Sequence, residues 1–289
     1  MVMFGRKYMD ELINEMMDAG LEPPSEIIAD GVIHRYAASD ERQKNCWYIL
    51  HSDEPVAGAF GHWKTGLNVK FNSAKKLSQD EKRLYREKVN EAKHKRLIEQ
   101  KKDQQECRDK AAYIWGKSIS GGCLMKNKYI ARKVITPYRA RLNRGSVVLP
   151  VMDSKGLLHG LQFIQEDGSK KFLYGTAKKG CYLSIGRITD TLLICEGYAT
   201  GASLHECTGL AVAVSFDAGN LEPAAMKLRA KFPTIKIIIC ADNDDIGIDK
   251  AIKASDSVNG LVVYPPKHGQ DFNDYHISEG KLALSRLLS

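Results

Sequence analysis

The chain has 289 residues, 43% of them hydrophobic, enough for one large domain or two ordinary ones that each bury a core. Its formal net charge of +8 favours a polyanionic partner, nucleic acid first. No apolar run approaches the roughly 18 residues that cross a membrane, residues 1–10 do not read as a secretory signal, and the seven cysteines, without paired spacing, fit reduced thiols better than a disulfide frame.

Residues 1–73 open with a helical pattern, Met9, Leu12, Ile13, Met16 and Met17, stopped by Gly20 and the Pro23-Pro24 pair. Strand-like runs at 32–36 and 46–50 follow, so this stretch is a small α+β module. Residues 74–112 are dense in Lys, Arg, Glu and Gln and contain neither Pro nor Gly. Those are helix formers, and the sparse apolar residues (Leu84, Val89, Leu97, Ile98) predict a long solvated helix, either an arm on DNA or a spacer. Residues 113–190 turn to strands, with runs at 146–152, 157–165, 171–174 and 181–185. The turn signals Asp153-Ser-Lys-Gly156 and Asp167-Gly168 separate them into a β-meander.

Residues 191–289 change rhythm. Apolar runs at 192–195, 210–216, 235–240 and 261–264 precede helical segments at 199–207, 221–231, 246–257 and near 278–288. Strands alternating with helices predict a parallel sheet covered on both faces, and in such a sheet the active site forms beyond the C-terminal strand ends. Those ends carry Glu196, then Asp242-Asn-Asp244, then Asp271-Phe-Asn-Asp274. Carboxylates converging on one edge repel unless a cation joins them, and hard oxygen ligands select Mg²⁺ or Mn²⁺. Asp242-x-Asp244 suits a strand end, where residues two apart share a face, although Asp244 or Asp245 could instead cap the next helix. Gly197 and Gly247 would let backbone and phosphate approach closely.

Glu196-Gly-Tyr-Ala-Thr-Gly201 resembles the Glu-Gly-Tyr-Ala-Thr-Ala signature of primases encoded by conjugative plasmids and satellite phages. Residues 191–274 resemble a Toprim domain, the fold shared by topoisomerases, bacterial primases and some nucleases. The likeness lies in Glu196 after the first strand, Asp242-x-Asp244 after the third, Gly247 just downstream, and the acidic loop of Asp271 and Asp274. More loosely, 156–186, with Asp167-Gly-Ser-Lys170-Lys171 and Gly180-Cys-Tyr182, is similar to the segment that precedes Toprim in those primases. One residue departs: Gly201 replaces Ala, a small change.

The resemblance implies an α/β chain, a Toprim domain preceded by a mixed β-rich segment and the small N-terminal α+β module. It implies that Glu196 acts in catalysis, as acid/base or through metal, and that Asp242 and Asp244 bind Mg²⁺ (or Mn²⁺). Asp271 and Asp274 would support a second metal or the incoming nucleotide, and Lys170 and Lys171 would meet triphosphate or template phosphates. The implied activity is that of a DNA primase, a nucleotidyltransferase making short primers from nucleoside triphosphates on single-stranded DNA. Plasmid or bacteriophage DNA replication in the cytoplasm is the implied setting, with a separate replicative helicase as a further partner. A Toprim nuclease, or a non-catalytic single-stranded-DNA-binding accessory, would share much of this pattern.

Other features carry less. Gly116-Lys117-Ser118 resembles a P-loop, but Ala111 stands where its first glycine belongs and a charged helix precedes it. Cys46, His51 and His62 lack Cys-x-x-Cys spacing, so no zinc is expected. Trp63, Tyr36 and Trp115 could stack on bases, although core packing is the commoner use of aromatics. His205 reads as an ordinary surface or packing residue, and Asn220, in the Asp217-Ala-Gly-Asn220 loop at the active edge, as a helix cap.

Overall fold

The computed structural model describes residues 3–52, 56–72 and 79–288. Residues 1, 2 and 73–78, which include the start of the charged stretch, lie outside the described residues, as does the side chain of Leu84. Contacts divide the chain into two units, Met1–Arg96 and Leu97–Ser289.

In the N-terminal unit helix α1 (Met3–Asp18) precedes an antiparallel sheet of β1 (His34–Tyr36), β2 (Cys46–His51), β3 (Ala57–His62) and β4 (Leu67–Asn72), paired in that order. Leu12 and Met16, from the predicted apolar stripe, are fully buried and share a core with Tyr48, Leu50, Phe60 and Phe71. The period of 3.6 in α1 and the period of 2 in β2 to β4 thus meet in one core.

Helix α2 (Gln79–Lys117) runs five residues past the end of the predicted solvated stretch. Its charged part is exposed as expected, but its end is not: Ala111 is buried against Val148 and Leu161, with Ile114 and Trp115 beside it. The polar composition of residues 74–112 hid this change of role. Residues 113–190, read as a β-rich segment with runs from 146 onward, begin with the end of α2, a 3-10 turn (Gly122–Lys126) and a short helix α3 (Lys128–Lys133). Asn127 starts α3 by accepting the amides of Tyr129 and Ile130. Six residues are too few for a 3.6 period to register.

The meander pairs β5 (Arg141–Asn143), β6 (Ser146–Met152), β7 (Leu158–Ile164) and β8 (Lys170–Phe172) in sequence order. The predicted fourth run does not extend it. β9 (Leu183–Ile185) pairs antiparallel with a strand of the C-terminal sheet, and only Tyr182, bridged to Met152, stays with the meander.

The remaining elements are β10 (Thr191–Cys195), α4 (Tyr198–Thr208), β11 (Ala211–Val214), α5 (Leu221–Lys231), β12 (Lys236–Cys240), α6 (Asp245–Val258), β13 (Leu261–Val263), α7 (Phe272–Glu279) and α8 (Lys281–Leu287). The sheet order is β13-β12-β10-β11-β9, parallel except for β9. Both faces are covered, as expected. Leu193, Cys195, Val212, Val214, Ile238 and Cys240 face a core shared with α4, α7 and α8. Their neighbours Leu192, Ile194, Ala211, Ala213, Ile237 and Ile239 face α5 and α6. One predicted helix is in fact two: Gly280, at φ 84°, breaks the last segment, and α7 begins directly after Asp271.

Candidate active site

β10 and β12 are adjacent and parallel, with Cys195 opposite Cys240. Glu196 therefore leaves one strand, and Asp242 its neighbour, at the same edge. The segment after Ala241 turns sharply, and buried Asn243 pins it: its amide donates to the Gln270 carbonyl (3.0 Å) and its side chain to that of Pro265 (2.7 Å). This anchoring draws the 265–271 segment, and with it Asp271, to the same edge. Lys170 arrives at the end of the β7–β8 hairpin.

A cleft of about 270 Å³ results, lined by Glu196, Asp242, Asp271 and Lys170 together with Arg132 and Lys133. Asp242 is the most perturbed carboxylate there. Burial pushes its pKa up from 3.8 to about 7, the charges of Asp271, Glu196 and Asp244 add to the rise, and Lys170 opposes it. Glu196 is raised as well, first by burial, with Lys170 opposing and Asp217 and Asp244 reinforcing. Asp242 Oδ1 is buried without a hydrogen-bond partner. An orphaned carboxylate oxygen among other hard oxygen donors is a poor structural element and a good half of a divalent-cation site. The residues fit a divalent cation.

Not every predicted site residue lines this cleft. Asp244 is exposed and caps α6, accepting the Gly247 amide at 2.6 Å. The turn after β12, in which the Asp244 amide donates to the Asp242 carbonyl, removes the shared strand face expected of Asp242 and Asp244. Gly247 serves the same turn, since a Cβ there would lie 2.7 Å from the Asp242 carbonyl oxygen. Lys171 is exposed and alternates away from Lys170 along β8. Asp271 caps α7 by accepting the Asp274 amide at 2.7 Å, and Asp274 is exposed. Between these two acids sits Lys133, 3.8 Å from Asp271 Oδ2 and 3.4 Å from Asp274 Oδ1.

Sequence reasoning missed Lys133, Arg132 and the buried asparagines. The available signal was the asparagine inside each acidic motif, Asp-Asn-Asp and Asp-Phe-Asn-Asp. Asn273 is fully buried and donates to the Lys133 carbonyl and to Ser203 Oγ.

Among protein families, the model described as Toprim domain matches residues 191–281. This segment is a Toprim domain. Upstream and across it, the chain is 30% identical over 283 residues to a DNA primase TraC of Escherichia coli, covering 89% of this chain and 19% of that protein. To a second DNA primase TraC of Escherichia coli it is 27% identical over 269 residues, covering 82% and 24%. The chain thus spans about a fifth to a quarter of the length of these curated relatives. Among solved structures, the primase fragment of the bacteriophage T7 primase-helicase protein is similar at 14% identity and a TM-score of 0.45, covering 61% of this chain and 76% of that one. The DnaG primase catalytic domain bound to single-stranded DNA is similar at 13% identity and a TM-score of 0.44, covering 66% and 82%.

Within the Toprim domain, Gly201 is more than a small departure. A Cβ there would lie 2.5 Å from Val214 Cγ2 and 3.2 Å from Cys195 Sγ, so α4 sits too close to the sheet for alanine without a shift. Asn220 is not a side-chain helix cap. Its amide donates to the carbonyls of Cys181 and Ser215, and its oxygen accepts the Gly180 amide, which fastens the loop after β11 to the segment before β9. Asp217, in that loop, pairs with Lys178 at 2.7 Å. His205 packs, its Nδ1 against the Leu210 carbonyl and its ring edge-on to Tyr138.

Elsewhere, Gly116 and Lys117 lie in the last turn of α2, where Ser118 Oγ donates to the Ile114 carbonyl, a geometry unlike a phosphate-cradling strand–loop–helix. Trp63 departs from the preference for core packing: it is 54% exposed, against Trp47 and under Arg35. Trp115 is half-buried beneath Arg141, and the Tyr36 hydroxyl donates to the Glu22 carbonyl. In the N-terminal unit Glu41, Cys46 and His62 bring one ligand atom each within 4.8 Å of one another, a grouping that includes two of the cysteine and histidine candidates but not His51. His62 Nε2 lies 3.1 Å from Glu41, and His62 Nδ1 accepts the Thr65 amide. The cysteines are all free. Among the described residues no helix is long and apolar enough to cross a membrane.

Proposed function

We propose that this chain is a Mg²⁺-dependent DNA primase, joining nucleoside triphosphates into short primers on single-stranded DNA. The observation that carries the reading is the cleft in which Glu196, Asp242 with its orphaned oxygen, and Asp271 face basic side chains. The likeness to the two DNA primase TraC sequences over most of the chain supports the same activity.

Asp242 and Glu196 would hold the metal ion, with Asp271 on the cleft wall and Asp244 and Asp274 adding negative potential at the rim. Bound there, Mg²⁺ would neutralise a triphosphate and the charge that develops as it reacts. The chain's own groups do the remainder. Lys170 and Arg132 orient the phosphates as point charge and fork respectively. A 3′-hydroxyl attacks the α-phosphorus, pyrophosphate leaves as the α–β bond breaks, and the proton of the attacking hydroxyl passes to water. Exposed lysines and arginines in residues 97–117 of α2 and at the cleft rim would hold the template by its backbone, so sequence preference is modest. Lys171, on the outer face of β8, belongs with that template surface. Such a protein would work in the cytoplasm on plasmid or phage DNA, with a separate replicative helicase opening the duplex. The N-terminal unit and the helix before the β-rich segment are read as a separate module and its connection, residues 1–73 and 74–112, ahead of 113–190 and 191–289.

The test is incorporation of labelled nucleotides on single-stranded DNA with and without Mg²⁺. Short new products that require Mg²⁺ support the primase. Shortened DNA supports the Toprim nuclease, and retained DNA binding without either product supports the accessory protein.

A further inference from the structure

The five predicted acids do not all wait for metal. Two of them already hold a cation from the chain, because the Lys133 ammonium lies between Asp271 (3.8 Å) and Asp274 (3.4 Å). Its position is built rather than incidental. Lys133 is the last residue of α3, Val134 ends the helix in the left-handed conformation, and buried Asn273, from the first turn of α7, donates to the Lys133 carbonyl at 2.8 Å. The backbone of the lysine is therefore fastened to the helix that Asp271 caps and whose first turn carries Asp274. The other basic residues of the cleft face elsewhere: Arg132 donates to the Glu166 carbonyl beside Tyr129, and Lys170 acts on Glu196 and Asp242.

We propose that Lys133 stands in for a second cation at Asp271 and Asp274. Without a triphosphate the cleft takes one divalent ion, at Asp242 and Glu196. A triphosphate draws the Lys133 ammonium onto its phosphates, frees the two carboxylates, and so admits the second ion together with the substrate. The lysine stem is long and flexible while its backbone is fixed, so the exchange needs side-chain rotation alone. The second ion would then enter only together with a triphosphate. The part of this inference that concerns triphosphate rests on the primase reading.

The experiment counts bound Mn²⁺ per chain by electron paramagnetic resonance, which needs no turnover. The full chain is used, with and without a triphosphate whose α,β-bridge is methylene. Wild type is expected to bind about one ion alone and about two with the analogue. Lys133→Met is expected to bind about two in both states, the second at least about tenfold more tightly than in wild type without analogue. Lys133→Arg, which keeps the charge, is expected to behave as wild type without analogue. A Lys133→Met count equal to wild type overturns the proposal. Should that variant not fold, a wild-type count that the analogue leaves unchanged overturns it equally. Altered counts in a protein that makes no primers would remove the primase reading and leave the lysine's stand-in role, whereas primer synthesis with unaltered counts would do the reverse.

Discussion

Replacing Asp242 by asparagine keeps its shape and removes its charge. The folded protein binds the Asp242 proton up to about pH 7, whereas the unfolded chain releases it near the ordinary 3.8. Between those values the native state carries more protons than the unfolded state, so stability falls as pH rises. Below both values, where both states are protonated, the loss is absent. Above about 7 it is complete and amounts to roughly 4 kcal/mol. From pH 5 to pH 8 the loss is about 2.5–3 kcal/mol, because part of it has already accrued at pH 5. A carboxamide has no proton to release, so the advantage of Asp242→Asn over wild type should grow by that amount across the interval. For a unit of this size that is roughly 5–10 °C in Tm. The assay is thermal melting by circular dichroism in a chelator at pH 5 and pH 8, then with Mg²⁺ at pH 8. Mg²⁺ should raise the wild-type Tm and leave the variant nearly unmoved, since the ion uses the charge that the fold tolerates poorly. A variant whose Tm relative to wild type is the same at both pH values, or falls at pH 8, would refute the buried-charge argument.

Three further outcomes are expected. Glu196→Gln should lower nucleotide incorporation on single-stranded DNA by about 10²-fold or more, because a metal ligand is lost, while metal-free melting at pH 8 rises rather than falls, because burial already opposes the Glu196 charge. Gly201→Ala, which restores the residue of the resembled signature, should destabilise by about 1–2 kcal/mol. The contact with Val214 Cγ2 outweighs the gain of about 1 kcal/mol in helix propensity, and urea unfolding would measure the balance. Asn220→Ala should cost about 3 kcal/mol in the same titration, because the Gly180 amide and the Cys181 and Ser215 carbonyls lose their partner inside the protein; a cost below about 1 kcal/mol would refute the fastening role of Asn220.

Periodicity alone determined much of this molecule. The stripe of Leu12 and Met16 in α1, the hairpin turn at Asp167-Gly168 and the alternation of strands and helices from Thr191 onward are local patterns, and each appears where its residues predict it. The positions of Glu196 and Asp242 were equally legible, since the ends of adjacent parallel strands lie at one edge whatever the side chains pack against. Tertiary structure decided the rest. That Asp244 caps a helix while Asp242 stays unpartnered depends on a turn held by Asn243, whose partners lie at Pro265 and Gln270. That α4 takes glycine at position 201 without strain, and alanine only with a shift, depends on how near the sheet lies. That Lys133 reaches Asp271 and Asp274, far along the chain, depends on a buried asparagine joining two short helices. Such contacts leave no period in the sequence because their energy comes from distance and burial in three dimensions, which neither composition nor spacing along one chain encodes.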